Sequence, residues 1–271
     1  MPDPRQSKLP PLPKNVPANE SAQCEAWSNL VRSRDWMADI GWQPSERALQ
    51  QFETLYEAVI LGNAVQNLTR LTSPEDFWEK HLWDSLRGVL SLGSWGDLAA
   101  QSLQAIDIGS GAGFPGLPIA ITLPSWSVTL LDSTKRKVKF IEQAIARIGL
   151  TNASGLASRV ELVPQRETFD VAVMRAIGPS PICTEYCLPL LKLGGRAVMY
   201  RGHWSLEEEA AVASVAEILG GEIAEVDAFT TPTSGGVRHC VVLLKTEPTP
   251  EGFPRSPGMA KRQPLEVIPS T

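Results

Sequence analysis

The sequence predicts an α/β protein: a seven-stranded, largely parallel sheet behind an N-terminal helical extension. Three observations carry that expectation. From about residue 97, short apolar runs alternate with segments of helical period, the pattern of a parallel sheet covered on both faces. A glycine-rich loop at 109–116 joins the first of these runs to the first of these helices. Upstream, residues 25–96 keep helical spacing throughout.

The elements follow in chain order. Residues 1–24 hold six prolines within the first 17 positions, which blocks helix and sheet alike, so a flexible tail is expected. In the helical extension, 25–96, Ser45 is placed to cap a helix in which Leu49, Phe52, Leu55, Tyr56, Val59 and Ile60 recur on one face. Gly62 and Asn63 read as its stop, and Pro74 marks the start of a second amphipathic helix. In the sheet domain, 97–247, strands are expected at 103–108, 127–132, 159–163, 169–174, 196–200, 222–228 and 237–245. Helices fit at 116–123, 134–148, 180–191 and 205–219. No helix separates the last two strands, so they form an antiparallel closing pair joined by TTPTSGG. Residues 248–271, proline-rich and carrying Arg255, Lys261 and Arg262, read as a flexible basic tail.

Composition narrows the function classes. With 271 residues and 43% hydrophobic content, the chain is long enough for a sizeable core. The net charge of −5 excludes a whole-protein basic footprint, so any nucleic-acid contact has to come from a local patch. No apolar run reaches membrane-span length and the N-terminus has no secretory apolar core, so a cytoplasmic protein without a membrane partner is expected. Cys24, Cys183, Cys187 and Cys240 lack a zinc-type spacing with histidine; they read as small buried residues, and no metal is expected.

The loop IDIGSGAGFPGLPIAI, 106–121, carries the first chemical signal. Gly111, Gly113 and Gly116 satisfy G-x-G-x-x-G, and Asp132 ends the next strand 19 residues after Gly113. That is the Rossmann-like dinucleotide pattern, and by spacing alone an NAD(P)-dependent oxidoreductase fits. The residue chemistry points elsewhere. Pro115 and Pro118 remove two N–H donors from the first helical turns, where a pyrophosphate would be cradled. Asp107 adds a carboxylate just before the loop, which repels a diphosphate and attracts a cation. S-adenosylmethionine, with its ammonium and sulfonium, meets that description, and Asp132 would accept hydrogen bonds from its ribose hydroxyls.

Taken together, NLTRLTSPEDFWEKHLWDS, IDIGSGAGFPGLPIAI, LLDSTKRKVKFI, SRVELV, FDVAVMRAIGP, LPLLKLGGRAVMYRG and VRHCVVLLK resemble the bacterial small-subunit ribosomal RNA guanine-N7 methyltransferases, also called the glucose-inhibited division protein B family. The matching stretches run in family order over roughly residues 36–245, and FPRSPGMAKRQPL is similar to the family's C-terminal end. The resemblance implies a class I S-adenosylmethionine-dependent methyltransferase fold with an N-terminal helical extension. It implies a donor site of Gly109, Phe114, Asp132, Ser133, Thr134, Val160, Glu161 and Arg175. It also implies methyl transfer to N7 of a guanine in a loop of 16S ribosomal RNA, free or within a small-subunit assembly intermediate, by a chain expected to be monomeric. Arg201-Gly202 stands where the family often has Lys-Gly; positive charge is kept, but the contact geometry differs.

The remaining polar residues are weighed one by one. His81 and Asp84 either line the substrate side or make an orienting hydrogen bond that fixes their helix on the sheet. Arg159, Arg175 and Arg201 fall near the ends of different strands, where they would converge into a basic mouth for RNA, or else form surface ion pairs. Lys135, Arg136, Lys137 and Lys139 oppose the dipole at a helix start, which suits an anionic partner or a solvated face. Trp78 and Trp83 belong in the core by helical context, and Trp204, a candidate for base stacking, is expected to pack as well. Guanine N7 carries a lone pair and no proton, so no catalytic general base is expected. A non-catalytic RNA-binding protein on the same fold is the remaining alternative.

Overall fold

The computed structural model describes residues 11–13 and 16–265. Most of residues 1–17, and the end of the chain after Leu265, therefore lie outside the described residues, together with part of both expected tails. Helix α1 (Ala18–Ser33) already starts within the stretch assigned to the proline-rich head, directly after Pro17. It is followed by α2 (Trp36–Ile40) and α3 (Glu46–Val65). Ser45 caps α3, its hydroxyl accepting from the Ala48 N–H. The helix does not stop at Gly62. A Cβ there would meet Leu68 and Phe140 at 2.5 Å, so this glycine serves close helix packing rather than termination. Asn63 remains helical and shapes the loop beyond the helix, its side chain accepting from the Leu68 and Thr69 N–H groups.

Ser73 caps the next helical run, with Pro74 in its first turn as expected. The run comprises α4 (Pro74–Phe77), a π-helical turn at Trp78–Trp83 and α5 (Asp84–Val89). A short α6 (Trp95–Ala99) leads into the sheet. Aromatic residues knit these helices together. Trp27 stacks on Tyr56, Trp36 stacks on Phe52, and Trp78 meets Trp36 edge-on. Trp78 and Trp83 are buried, as expected.

The sheet has seven strands in the order β3-β2-β1-β4-β5-β7-β6. They are β1 (Gln104–Ile108), β2 (Ser127–Asp132), β3 (Ala153–Ala157), β4 (Phe169–Arg175), β5 (Leu191–Arg201), β6 (Gly221–Thr230) and β7 (Val237–Lys245). All pairings are parallel except those of β7, which runs antiparallel to both β5 and β6. The crossover helices are α7 (Gly116–Thr122), α8 (Lys135–Ile148), α9 (Ser180–Cys187) and α10 (Leu206–Ile218). One strand differs from expectation. The third is Ala153–Ala157, in register with β2, whereas residues 159–163 form a 3-10 turn. Gly155 explains the choice: a Cβ there would meet Val138 at 2.9 Å, so the bare backbone lets α8 close down on this edge. Val160 and Val163 bury themselves from the turn, which accounts for the strand-like look of that segment.

Alternate residues of each strand feed two cores. One face, through Ala105, Val128, Leu130, Val171, Val173 and Val198, packs with α1, α3, α5, α7 and α8 in a continuous cluster. The other, through Ile106, Ile108, Ala172, Met174, Ala197 and Met199, packs on α9 and α10. The helical extension is thus one of the sheet's two covers. Gly88 of α5 lies so close to Tyr200 that a Cβ would sit 2.2 Å from its ring. The Tyr200 hydroxyl, in turn, donates to the Ser85 carbonyl at 2.7 Å.

The free tail expected from residue 248 is corrected for its described part. Residues 253–265 pack on the second core through Phe253, Ala260 and Leu265, with a last helical turn α11 (Met259–Arg262). Arg255 forks onto the buried Glu185 of α9, with N–O distances of 2.8 and 2.5 Å. A buried carboxylate needs such a partner, and proline-rich composition does not reveal one.

Candidate functional site

Two cavities open beyond the C-terminal ends of the strands, one on each side of the segment that leaves β4. Ile177 lines the first, whereas Arg175 and Ala176 line the second. Ala176 has φ +56°, a left-handed conformation that costs a non-glycine residue about 1–3 kcal/mol and clusters at functional sites.

The first cavity, of about 130 Å³, is built by the glycine loop, the end of β2 and the turn after β3. Gly109, Gly111 and Gly113 all have φ between +60° and +95°, which only glycine adopts without cost, so their alternation is a backbone requirement. The loop spends its N–H groups on itself. Those of Gly109 and Ser110 donate to the Leu131 carbonyl, and those of Gly113 and Phe114 to the Ser110 carbonyl. The Gly111 N–H donates to Asp132 Oδ2 (3.1 Å) and the Gly116 N–H to Asp107 Oδ2 (2.8 Å). A diphosphate would find few of these donors free, and the cavity wall holds two acids, Asp132 and Glu161, beside two cations, Arg159 and Lys261. Asp132 Oδ1 accepts from the Thr134 N–H at 2.8 Å. Each of its oxygens thus keeps a lone pair for a ligand hydroxyl. The residues present therefore fit a nucleoside whose ribose meets Asp132, and the glycine loop offers a diphosphate few free N–H donors.

Five of the eight donor-site candidates meet in this cavity: Gly109, Asp132, Ser133, Val160 and Glu161. Three do not line it. Thr134 is the N-cap residue of α8, held by Asp132. Phe114 is buried and stacks on His81, with ring centroids 4.4 Å apart. Arg175 turns to the other side of the β4 exit. Asp107 also departs from the expectation that its charge lies beside the ligand. It is fully buried under α7, and burial pushes its carboxyl up to about 7 against the Gly116 hydrogen bond. Ser158, Tyr186 and Lys261 also line the wall; Ser158 lies in the turn after β3, Tyr186 on α9, and Lys261 in the tail.

The second cavity is a cleft of about 780 Å³ between the π-helical turn, the ends of β4 and β5, and the β6–β7 hairpin. It gathers Lys80, Arg175, Arg201 and Arg238 and all three histidines of the chain, His81, His203 and His239, against the acids Asp84 and Glu208. Of the three arginines expected near the strand ends, Arg175 and Arg201 meet in this cleft, each in an ion pair, with Asp84 and Glu208. Arg159 is not in it. That residue sits at the first cavity, paired to Glu161 at 2.7 Å. Arg238, which periodicity marks only as part of a strand, takes a place in the cleft.

Arg175 organises the cleft floor. It donates to the Lys80 carbonyl (2.7 Å), to Asp84 Oδ2 (2.9 Å) and to His81 Nδ1 (3.2 Å). Since a guanidinium only donates, Nδ1 is the acceptor, and the His81 proton sits on Nε2, facing Thr69 Oγ1 at 2.9 Å. Burial, then the Arg175 charge, lowers the His81 pKa to about 3. His81 is thus a neutral tie between the helical cover, Phe114 of the glycine loop and Arg175; the orienting role and the lining role coincide. Arg201 donates to the Gly178 carbonyl (2.8 Å) and to Glu208 (2.8 Å). Glu79, on the π-turn, accepts from the Thr233 and Ser234 N–H groups of the hairpin. Burial would raise its pKa, but these bonds outweigh it and hold the carboxyl below its ordinary range. Trp204 lies against the second core and donates to Glu209, so packing is its role.

Among the described residues no helix is long and apolar enough to cross a membrane, and no cluster of metal-ligating side chains occurs.

Residues 48–239 match the family model described as rRNA small subunit methyltransferase G. A protein of Synechococcus sp. (strain JA-2-3B'a(2-13)) named ribosomal RNA small subunit methyltransferase G is 52% identical, covering 93% of this chain and 96% of its own. A Nostoc punctiforme protein of the same name is 47% identical over 85% of this chain and 96% of its own. Among solved structures, a branched-chain polyamine synthase variant from Thermus thermophilus aligns with a TM-score of 0.50 at 18% identity, over 61% of this chain and 56% of that one, a likeness of fold. With a model match across most of its length and relatives near half identity, the chain belongs to the rRNA small subunit methyltransferase G family.

Proposed function

We propose that this protein transfers the methyl group of S-adenosylmethionine to N7 of a guanine in small-subunit (16S) ribosomal RNA. The observation that carries the reading is the juxtaposition across the β4 exit: a cavity at the glycine loop with Asp132 placed for a ribose, and a cleft rich in arginine that suits RNA. When bound, the donor supplies an electrophilic methyl; the N7–carbon bond forms as the carbon–sulfur bond breaks, and the sulfur keeps the electron pair.

The chain's own residues bind and orient. Asp132 accepts the ribose hydroxyls, and Val160 and Glu161 border the adenine. In the cleft Arg201 and Arg238 take RNA phosphate. Guanine N7 loses no proton on methylation, so no residue has to accept one. His81 has both ring nitrogens engaged and Asp107 is sealed from the cleft, so neither serves as a base. Catalysis is then positioning, which is worth up to ~7–11 kcal/mol in favourable cases. The substrate is free RNA or an assembling small subunit, met in the cytoplasm by a monomer; sedimentation of the purified chain tests the oligomeric state.

Labelled S-adenosylmethionine, incubated with the protein and either stripped small-subunit RNA or intact subunits, should place one methyl on a guanine N7, located by mass mapping of RNA fragments. RNA binding without methyl incorporation would make it a non-catalytic binder. Calorimetric binding of NAD(H) with none of S-adenosylmethionine would overturn the donor assignment.

A further inference from the structure

The segment after β7 reaches the donor cavity, where the methyl transfer described above gives it no role. Lys261 of α11 lines that cavity beside Val160 and Glu161. The Gly258 N–H donates to Glu161 Oε1 at 2.9 Å, the same oxygen that accepts from Arg159. Gly258 has φ +80°, so its backbone turns in a way that favours glycine. Just upstream, Arg255 forks onto Glu185, which is only 3% exposed, and also donates to the Gln263 carbonyl at 2.8 Å. Ala260, 2% exposed, plugs the segment into the second core. The outcome is a strap, latched by one ion pair, whose inner side touches a wall residue of the cavity and whose lysine is part of that wall.

We propose that residues 253–262 are an integral part of the donor site, with Lys261 contacting the bound donor and the Arg255–Glu185 pair holding the strap in place. The inference rests on the donor reading above. Removing Arg255 leaves a buried carboxylate without its partner, which destabilises the fold as well as undocking the strap, so the latch has to be tested by a pair of variants. Arg255→Ala should lower stability and raise the S-adenosylmethionine dissociation constant about tenfold. Arg255→Ala combined with Glu185→Ala removes the stranded charge; it should recover most of the stability while the donor dissociation constant stays about tenfold raised. Lys261→Ala, at an exposed-edge position with no ion pair to strand, should raise the same constant about threefold with the melting temperature unchanged. In the unaltered protein, the amides of 255–262 should exchange more slowly when the donor is present. Donor constants within twofold of the parent in the double variant and in Lys261→Ala, with no donor-dependent protection of 255–262, would overturn the proposal. Failure of the parent protein to bind S-adenosylmethionine at all would instead overturn the donor reading, so the two failures are distinct.

Discussion

The donor cavity and the basic cleft are neighbours across a few residues of backbone, yet they are made in opposite ways. The cavity is local: β1, the glycine loop, the end of β2 and the turn after β3 contribute most of its wall from about fifty consecutive residues. The cleft is assembled from afar: Lys80 and His81, Arg175, Arg201, and Arg238 and His239 meet only when the sheet is closed by its antiparallel strand. The cavity's features are backbone conformations and the carboxylates of Asp132 and Glu161 with two cations beside them, whereas the cleft's are long cations held by carbonyls and by Asp84 and Glu208. A change in the first should therefore act on the donor and a change in the second on the RNA.

The strongest way to break that division is Asp132→Ala. Losing charge-assisted hydrogen bonds worth about 1.5–3 kcal/mol each should raise the donor dissociation constant roughly 100-fold, measured by calorimetry. RNA affinity in a filter assay should change less than twofold; a parallel loss of RNA binding would dissolve the distinction.

Next in size is acidity, because two buried groups, His81 at the cleft and Asp107 under α7, are shifted in opposite directions and act with opposite sign. The His81 pKa falls from 6.5 to about 3, so the unfolded chain binds its proton first, and this site loses stability as pH drops through that window. The Asp107 pKa rises from 3.8 to about 7, so the folded chain binds its proton first, and this site loses stability as pH climbs from about 4 to 7. Between roughly pH 4 and 6.5 the slopes cancel. Asp107→Asn should unmask the His81 slope, with stability rising by up to ~1.4 kcal/mol per pH unit; His81→Gln should unmask the reverse. Urea melts at three pH values check both, and a flat profile in either variant would refute the burial-driven shift of the other group.

Smaller effects separate the arginines. Arg201→Ala and Arg238→Ala should each weaken RNA binding a few-fold and reduce the salt slope of log K by about 1, with donor affinity unchanged. Smallest of all is Arg159→Ala. That residue lies at the cavity and is 45% exposed in its ion pair, so the RNA salt slope should not move. A slope lowered as much as for Arg201 would extend the RNA footprint over the donor cavity.

The same contrast explains what is legible in the sequence. Alternating glycines, an acid ending the next strand and regular strand–helix alternation are local signals, and they suffice for the sheet and most of the cavity. The third strand escapes them because Val160 and Val163 have strand-like spacing while the actual edge, Ala153–Ala157, is small and half-buried. Gly62 mimics a helix stop because a glycine under an aromatic ring has the same local signature as one that ends a helix. Arg159 falls outside the cleft and Arg238 inside it because the side of the β4 exit on which a residue emerges depends on sheet order, which spacing does not encode. The strap at 253–262 is visible as the family-like stretch FPRSPGMAKRQPL, but its docking is not, because its anchor, Glu185, lies seventy residues away and is buried by contacts that composition cannot show.

The seam between Gly88 and Tyr200 has an evolutionary corollary. A module that joins its neighbour through a polar surface is readily exchanged between relatives; one that shares an interior is not. The helices that present Lys80 and His81 are fused to the catalytic sheet through an interior without room for one extra methyl. Side chains along the rim can be exchanged at little cost to the fold, whereas added volume at the seam forces shifts in both the helices and the sheet.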